Sequence, residues 1–254
     1  MSLGQSGKPP LAKSQNVVPL RDHALQKAVQ AIQSPPDGDS RPVLLFLAGP
    51  NGAGKSSFFN ELDQKDGRAF IFINADLLAS LLKGIPAPDH LAQKIADLTR
   101  EHMLGQKASF ATETVFSDEV GAKLEFLRRA GECGFHVVLV YVALANVHLS
   151  RLRVQFRVRE KIGHDVPLDK LQRRFIASRE NCRRALYKIE TALVLDNSSP
   201  LKPLRLMAVV HRGVVSYQSP NMPQYIRELM PLPENAGRVG DAKGVQTGFP
   251  PSRE

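Results

Sequence analysis

Tryptophan is absent, and only two cysteines, Cys133 and Cys182, occur in 254 residues. Neither has a partner at metal-ligand spacing and no CxxC occurs, which excludes a zinc ribbon and a disulfide-stapled scaffold. A reduced, cytoplasmic protein with incidental thiols is the expected setting. Long apolar runs are also missing. The longest, residues 137–145, is far too short to cross a bilayer, and no secretory leader pattern opens the chain. Aromatics are sparse, and none interleave with the basic residues in the manner that stacks nucleobases. Positive charge, by contrast, is in excess: the net charge is +9. Twelve Lys and Arg fall between residues 151 and 188, so the surplus sits in one internal segment rather than in a tail. That distribution suits phosphate chemistry as well as nucleic acid.

One segment carries a specific chemistry. Gly49-Pro50-Asn51-Gly52-Ala53-Gly54-Lys55-Ser56 fits G-x-x-x-x-G-K-[ST] at every fixed position, with Ser57 following it. It comes directly after Val43-Leu44-Leu45-Phe46-Leu47-Ala48, an apolar run that reads as a buried parallel strand. The glycines allow the backbone to curl until successive N–H groups point at one anion, and a helix starting near Lys55 adds the positive end of its dipole. In such a loop Lys55 reaches the β- and γ-phosphates of a nucleoside triphosphate such as ATP, and the Ser56 hydroxyl sits on Mg²⁺.

The rest of the chain alternates. Residues 1–19 read as a flexible arm, residues 20–230 as one domain, and residues 231–254 as a disordered tail. Residues 20–33 have helical spacing, and residues 34–39 punctuate. Strands are expected over 42–48, 69–73, 109–114, 136–144 and 192–196, with a late hairpin over 204–217 turning at Arg212-Gly213. Helices fall between them, including one over 118–131 closed by Gly131, and two basic ones over 146–161 and 168–187. The predicted fold is a three-layer α/β P-loop kinase: a mostly parallel sheet of five to six strands, a helical lid over about 150–188, and a C-terminal hairpin. Ligands in such folds gather beyond the carboxyl ends of the strands.

Those ends carry reactive side chains. Asn74 and Asp76 close the second strand, where Asp76 is positioned to accept the proton of an attacking hydroxyl, or where Asn74 or Asp76 simply caps the next helix. Glu113 and Thr114 close the third and are candidates for orienting Mg²⁺ or the acceptor. Asp196-Asn197-Ser198 ends the fifth, as a turn or a nucleotide contact. Arg153, Arg157 and Arg159 lie on one basic helix, and Arg173 and Arg174 on the next, beyond a Gly163-His164 turn. Lid arginines of this kind neutralise a moving phosphoryl group. Two other readings stay open: a nucleic-acid-associated ATPase or polynucleotide kinase using the basic surface, and a nucleotide-gated binding switch.

Taken in order, the phosphate loop, Asn74-Ala75-Asp76, Phe110-Ala111-Thr112-Glu113-Thr114, Gly163-His164-Asp165-Val166-Pro167 with Arg173-Arg174-Phe175, and Asp196-Asn197-Ser198 resemble the zeta-toxin-like P-loop kinases of bacteria. The resemblance spans residues 43–199. It implies ATP- and Mg²⁺-dependent phosphorylation of a small-molecule hydroxyl, in the best-known members that of UDP-N-acetylglucosamine, and a small antitoxin as partner. By motif, Lys55 and Ser56 match the phosphate-loop pair, Asp76 the general base, and Glu113 and Thr114 the acceptor-side strand end. Arg174 matches the lid arginine before an aromatic, and either Arg157 or Arg159 the earlier one. The chain departs from the plasmid toxins in showing no evident extra sugar-binding region, so the resemblance supports the reaction type better than the acceptor.

Overall fold

The computed structural model describes residues 20–33, 41–66, 70–82, 84–160 and 165–231. The expected arm, the break over 34–39, Gly163 and His164 of the interhelical turn, and the tail past residue 231 lie outside the described residues. In chain order the elements are α1 (Leu20–Gln33), β1 (Val43–Ala48), α2 (Lys55–Asp66), β2 (Ile71–Asn74), α3 (Ala75–Leu81), α4 (Pro88–Gly105), β3 (Phe110–Thr114) and α5 (Ala122–Glu132). They continue with β4 (His136–Ala143), α6 (Val147–Arg159), α7 (Leu168–Leu186), β5 (Thr191–Asp196), β6 (Arg205–His211), β7 (Val214–Gln218) and α8 (Gln224–Arg227).

All seven strands form one sheet in the order β2-β3-β1-β4-β5-β6-β7. The pairs from β2 to β5 are parallel, and β6 and β7 add antiparallel. The sheet is wider than the five to six strands expected because the late hairpin joins it as an edge extension. Its turn residues Arg212 and Gly213 both adopt positive φ, 47° and 81°, the geometry of a two-residue hairpin turn. At α5 the helix runs through Gly131 to Glu132, and Gly134, at φ 86°, takes the left-handed conformation after it.

The strands alternate between two cores. Leu44, Phe46 and Ala48 of β1 face one cluster, with Leu139 and Tyr141 of β4 and Leu127 of α5. Val43, Leu45 and Leu47 face the other, with Val138 and Val140, Leu25 and Ile32 of α1, and Phe58 and Leu62 of α2. Burying one Leu or Phe side chain contributes about 1.5 to 3 kcal/mol, and a one-residue slip would exchange the two stripes, so the register of β1 is strongly fixed. A third, small cluster of Val154, Val166 and Leu171 joins α6 to α7. Among the described residues no helix is long and apolar enough to cross a membrane.

Register is what builds the site. Ala48 pairs with Thr114, Leu47 with Glu113, and Asn74 with Glu113, so the carboxyl ends of β1, β2 and β3 stand side by side. From β1 the chain crosses beyond β3 to β2 and later lays β4 on its other side, so the crevice opens at the end of β1.

The opposite end of the sheet is fastened by Glu190, which precedes β5. It accepts from Arg41 Nη2 at 2.9 Å and Arg212 Nη2 at 3.1 Å, and lies 3.0 Å from His136 Nδ1. Burial pushes its carboxyl pKa up, but the hydrogen bonds from Arg41, His136 and Arg212 outweigh it and hold the group at about 2. A depressed folded pKa stabilises above the unfolded value of 4.5 and loses that contribution as pH falls toward 2. Glu190→Gln is expected to lower stability by about 2 to 4 kcal/mol at neutral pH. In paired thermal melts the gap to the parent should close as pH falls from 4.5 toward 2.

Candidate active site

The loop after β1 is shaped by three glycines with positive φ: Gly49 at 143°, Gly52 at 72° and Gly54 at 92°. Two cannot be replaced without displacement. A Cβ on Gly49 would stand 2.3 Å from the Val142 carbonyl oxygen, and one on Gly54 would stand 2.6 Å from Asn197 Nδ2. The loop is also held from outside. The carbonyls of Asn51, Gly52 and Ala53 accept, in turn, from Ser150 Oγ at 2.7 Å, Arg153 Nη1 at 3.3 Å and Asn197 Nδ2 at 2.7 Å. These bonds turn the three carbonyls toward α6 and the end of β5. Sequence reasoning placed Arg153 with the lid arginines; it braces the loop instead, and its other nitrogen donates to the Asn197 carbonyl at 2.7 Å.

Lys55 is the first residue of α2 and is buried. Its ammonium donates to the carbonyls of Gly49 at 3.0 Å and Pro50 at 3.1 Å and lies 3.7 Å from Glu113 Oε1. Burial lowers its pKa, the carboxylates of Glu113 and Asp76 oppose that, and Arg157 lowers it further. The same Glu113 accepts from Ser56 Oγ at 2.6 Å and from Asn74 Nδ2 at 2.9 Å. Asn74 in turn caps α3, its Oδ1 accepting from the backbone N–H of Asp76 at 2.8 Å and of Leu77 at 3.3 Å. Of the two residues considered for the cap, Asn74 takes the role, which leaves the Asp76 carboxylate exposed in the crevice.

A cleft of about 430 Å³ runs from the loop across these strand ends. Asn51, Gly52, Lys55, Asn74, Asp76 and Glu113 line it on the sheet side, and Arg157, Arg173 and Arg174 from α6 and α7 face them. Arg159 is exposed and does not line the cleft, because α6 points it away two residues after Arg157. Ser57 is likewise exposed on α2. Thr114 lines the cleft, and its hydroxyl accepts from the Phe116 N–H at 3.1 Å. Asp196 is fully buried and fixed: burial raises its pKa, but Ser198, Arg205 and Tyr225 lower it more. It organises the turn after β5 and does not line the cleft.

Arg100, Lys123 and Asp118 are among the lining residues not singled out from sequence. Arg100 of α4 is buried, donating to Thr112 Oγ1 at 3.1 Å and pairing with Asp97. Lys123 of α5 and Asp118 in the preceding loop line the same wall. The three look like solvated helix and loop charges in sequence, and only the packing of α4 and α5 turns them inward.

The arrangement fits a nucleotide. The glycine cradle and Lys55 suit a triphosphate, and Ser56 Oγ beside a Glu113 oxygen is an oxygen donor set of the kind Mg²⁺ accepts. Among the described residues no group of three or more His, Cys, Asp and Glu gathers as a metal site, so phosphate oxygens would have to complete that shell. Asn197→Ala removes the brace on the Ala53 carbonyl. Leaving that buried acceptor unpaired costs about 1 to 3 kcal/mol, so calorimetric titration should show nucleotide affinity falling about tenfold with the fold retained.

Residues 26–201 match a family model described as zeta toxin. No curated protein matches this sequence. Among solved structures, AvrRxo1-ORF1:-ORF2 with ATP is similar with a TM-score of 0.57 at 19% identity, over 87% of this chain and 73% of that one. The PezAT chromosomal toxin-antitoxin system of Streptococcus pneumoniae is similar with a TM-score of 0.53 at 15% identity, over 83% of this chain and 91% of that one. At such identities the structural likeness shows the shared fold alone.

Proposed function

Because this chain belongs to the zeta toxin family, we propose that it is an ATP-dependent kinase that moves the γ-phosphoryl group of ATP to a hydroxyl of a small molecule. The observation that carries the reading is the flush end of β1, β2 and β3. It gathers Lys55, Asp76 and Glu113 on one side of a single cleft, with Arg157 and Arg174 on the other. The ATP named with the AvrRxo1 structure supports a nucleotide at the corresponding loop here.

In this mechanism the loop N–H groups and Lys55 hold the triphosphate. Lys55 exchanges the carbonyls of Gly49 and Pro50 for phosphate oxygens. Asp76 takes the proton from the acceptor hydroxyl, whose oxygen then attacks the γ-phosphorus. The bond from the γ-phosphorus to its bridging oxygen breaks, and ADP leaves. Arg157 and Arg174 neutralise charge on the transferring group. Ser56 and Glu113 would hold Mg²⁺, which supplies charge neutralisation on the β- and γ-phosphates. Asn74 fixes α3, and with it Asp76, relative to the phosphate loop through Glu113.

The cations of α6 and α7 line a concave cleft, which favours phosphoryl transfer over nucleic-acid binding. The small packed cluster between those helices suits a lid that moves as a unit. A nucleotide sugar such as UDP-N-acetylglucosamine is the finer reading of the acceptor, and the cytoplasm the finer reading of location. An antitoxin partner is the corresponding reading from PezAT, which is a toxin-antitoxin system.

Incubation with γ-labelled ATP, Mg²⁺ and a nucleotide-sugar panel, followed by mass spectrometry, tests the proposal. Label should move to one acceptor, and Lys55→Ala should abolish transfer. Asp76→Asn should spare ATP binding and cut turnover by about two to four orders of magnitude, the size of a general-base contribution. Near-parental turnover in Asp76→Asn would remove Asp76 from the role of base.

A further inference from the structure

No residue of α8 lines the cleft, yet this short helix is bonded to two of the elements that surround it. Its Tyr225 is half-buried and held at both ends. The Tyr225 carbonyl accepts from Arg179 Nη2 at 2.6 Å, and the same nitrogen lies 3.4 Å from Glu228 Oε2. Arg179 belongs to α7, the helix that also carries Arg174. The Tyr225 hydroxyl donates to Asp196 Oδ1 at 2.8 Å and lies 3.0 Å from Ser198 Oγ. Burial pushes the Tyr225 pKa up to about 12; contact with Ser198 opposes that and the Asp196 charge adds to it. The phenol therefore stays a donor. Around it Met222, Ile226, Leu229 and Met230 are buried in the core, so packing holds α8 in place.

What Tyr225 holds is the turn behind the phosphate loop. Asp196 Oδ1 accepts from the Ser198 N–H at 3.0 Å and from Ser198 Oγ at 2.6 Å. Ser198 Oγ in turn accepts from the Ala145 N–H at 2.9 Å, just ahead of α6. Between the two stands Asn197, whose amide donates to the Ala53 carbonyl and whose own carbonyl accepts from Arg153. The fit there is tight, since a Cβ on Gly54 would stand 2.6 Å from Asn197 Nδ2. A small rotation of the turn would therefore reach the loop. The Asp196 carboxylate is fully buried, so the donors around it set its orientation. Arg205 bonds one oxygen, and Ser198 and Tyr225 the other. Of these three donors, Tyr225 reaches in from a separate helix.

Resting on the nucleotide half of the kinase reading above, we infer that Tyr225 is a positioning residue for the phosphate loop. It fixes the Asp196-Asn197-Ser198 turn and, through Asn197, the Ala53 carbonyl, while Arg179 fixes Tyr225 from the other side. Tyr225 touches no nucleotide and acts through Asn197. The loop is thereby set relative to α7, the helix that brings Arg174 to the cleft.

The probe is a non-hydrolysable ATP analogue with Mg²⁺, titrated calorimetrically. Tyr225→Phe removes one hydroxyl and keeps both the ring and the carbonyl that Arg179 holds. It should weaken analogue binding about tenfold, the scale of a lost hydrogen bond to a charged group. In an Asn197→Ala background, where the brace is already gone, Tyr225→Phe should add less than about twofold, because the two residues act in series. Arg179→Met should weaken binding in the same direction, and should add less than about twofold in the Tyr225→Phe background. Hydrogen-exchange mass spectrometry of the unliganded protein gives a readout that needs no nucleotide. Tyr225→Phe should speed exchange in residues 49–56 and leave β1 and β4 as in the parent. Thermal melts establish that each variant is folded, and Ser198→Ala, which cuts the same turn, carries the comparison if Tyr225→Phe is not. Unchanged affinity with unchanged loop exchange, effects that add fully with Asn197→Ala, or exchange that rises throughout the protein overturns the inference. An analogue that fails to bind the parent overturns the nucleotide reading instead, and loop exchange still decides the role of Tyr225.

Discussion

The carboxylate of Glu113 ties the phosphate-loop helix to the end of β2. It accepts from Ser56 on the phosphate-loop helix and from Asn74 on the neighbouring strand, and it lies against the Lys55 ammonium. Three groups from two neighbouring elements therefore share one anion. Parallel pairing of β3 with both β1 and β2 makes this possible, because it brings Glu113 level with Leu47 and Asn74. Removing the charge would leave a buried ammonium, a hydroxyl and an amide without their common acceptor. The position of Asp76 depends on the same contact, since Asn74 both donates to Glu113 and caps the helix that carries Asp76.

A second constraint acts on the far side of the phosphate loop. Helix α6 braces two of its carbonyls through Ser150 and Arg153, and one turn after Arg153 it offers Arg157 to the cleft. The helix that shapes the cradle therefore also delivers a candidate catalytic cation. The braces fix the N-terminal half of α6 to the phosphate loop, ahead of the turn that carries Arg157. The small cluster of Val154, Val166 and Leu171 packs α6, which carries Arg157, against α7, which carries Arg174.

Much of this was legible in the sequence, for identifiable reasons. Apolar runs bounded by turn residues located β1, β4 and β5, because strands buried on both faces leave little polar pattern to blur them. The phosphate loop is a local motif and needed no tertiary knowledge. Strand ends were legible because topology, rather than side-chain type, makes them converge. What escaped depends on packing. Asn197 reads as a turn residue, and its support of the Ala53 carbonyl exists only once β5 lies beyond β4. Arg100 and Lys123 follow ordinary helical charge patterns, and their inward orientation comes from how α4 and α5 cover the sheet. Arg157 and Arg159 are two residues apart, and helix rotation separates the cleft-lining one from the exposed one. The hairpin was visible, but its addition to the main sheet depended on the exposed edge of β5.

The claim beneath all of this is that these strand ends and helices converge on one triphosphate. A crystal structure with a non-hydrolysable ATP analogue and Mg²⁺ tests it most directly. The account predicts that the Lys55 ammonium leaves the carbonyls of Gly49 and Pro50 for the β- and γ-phosphates, with Asp76, Arg157 and Arg174 all facing the γ-phosphate. A nucleotide seated elsewhere, or a bound triphosphate from which Asp76 and the two arginines point away, would contradict it.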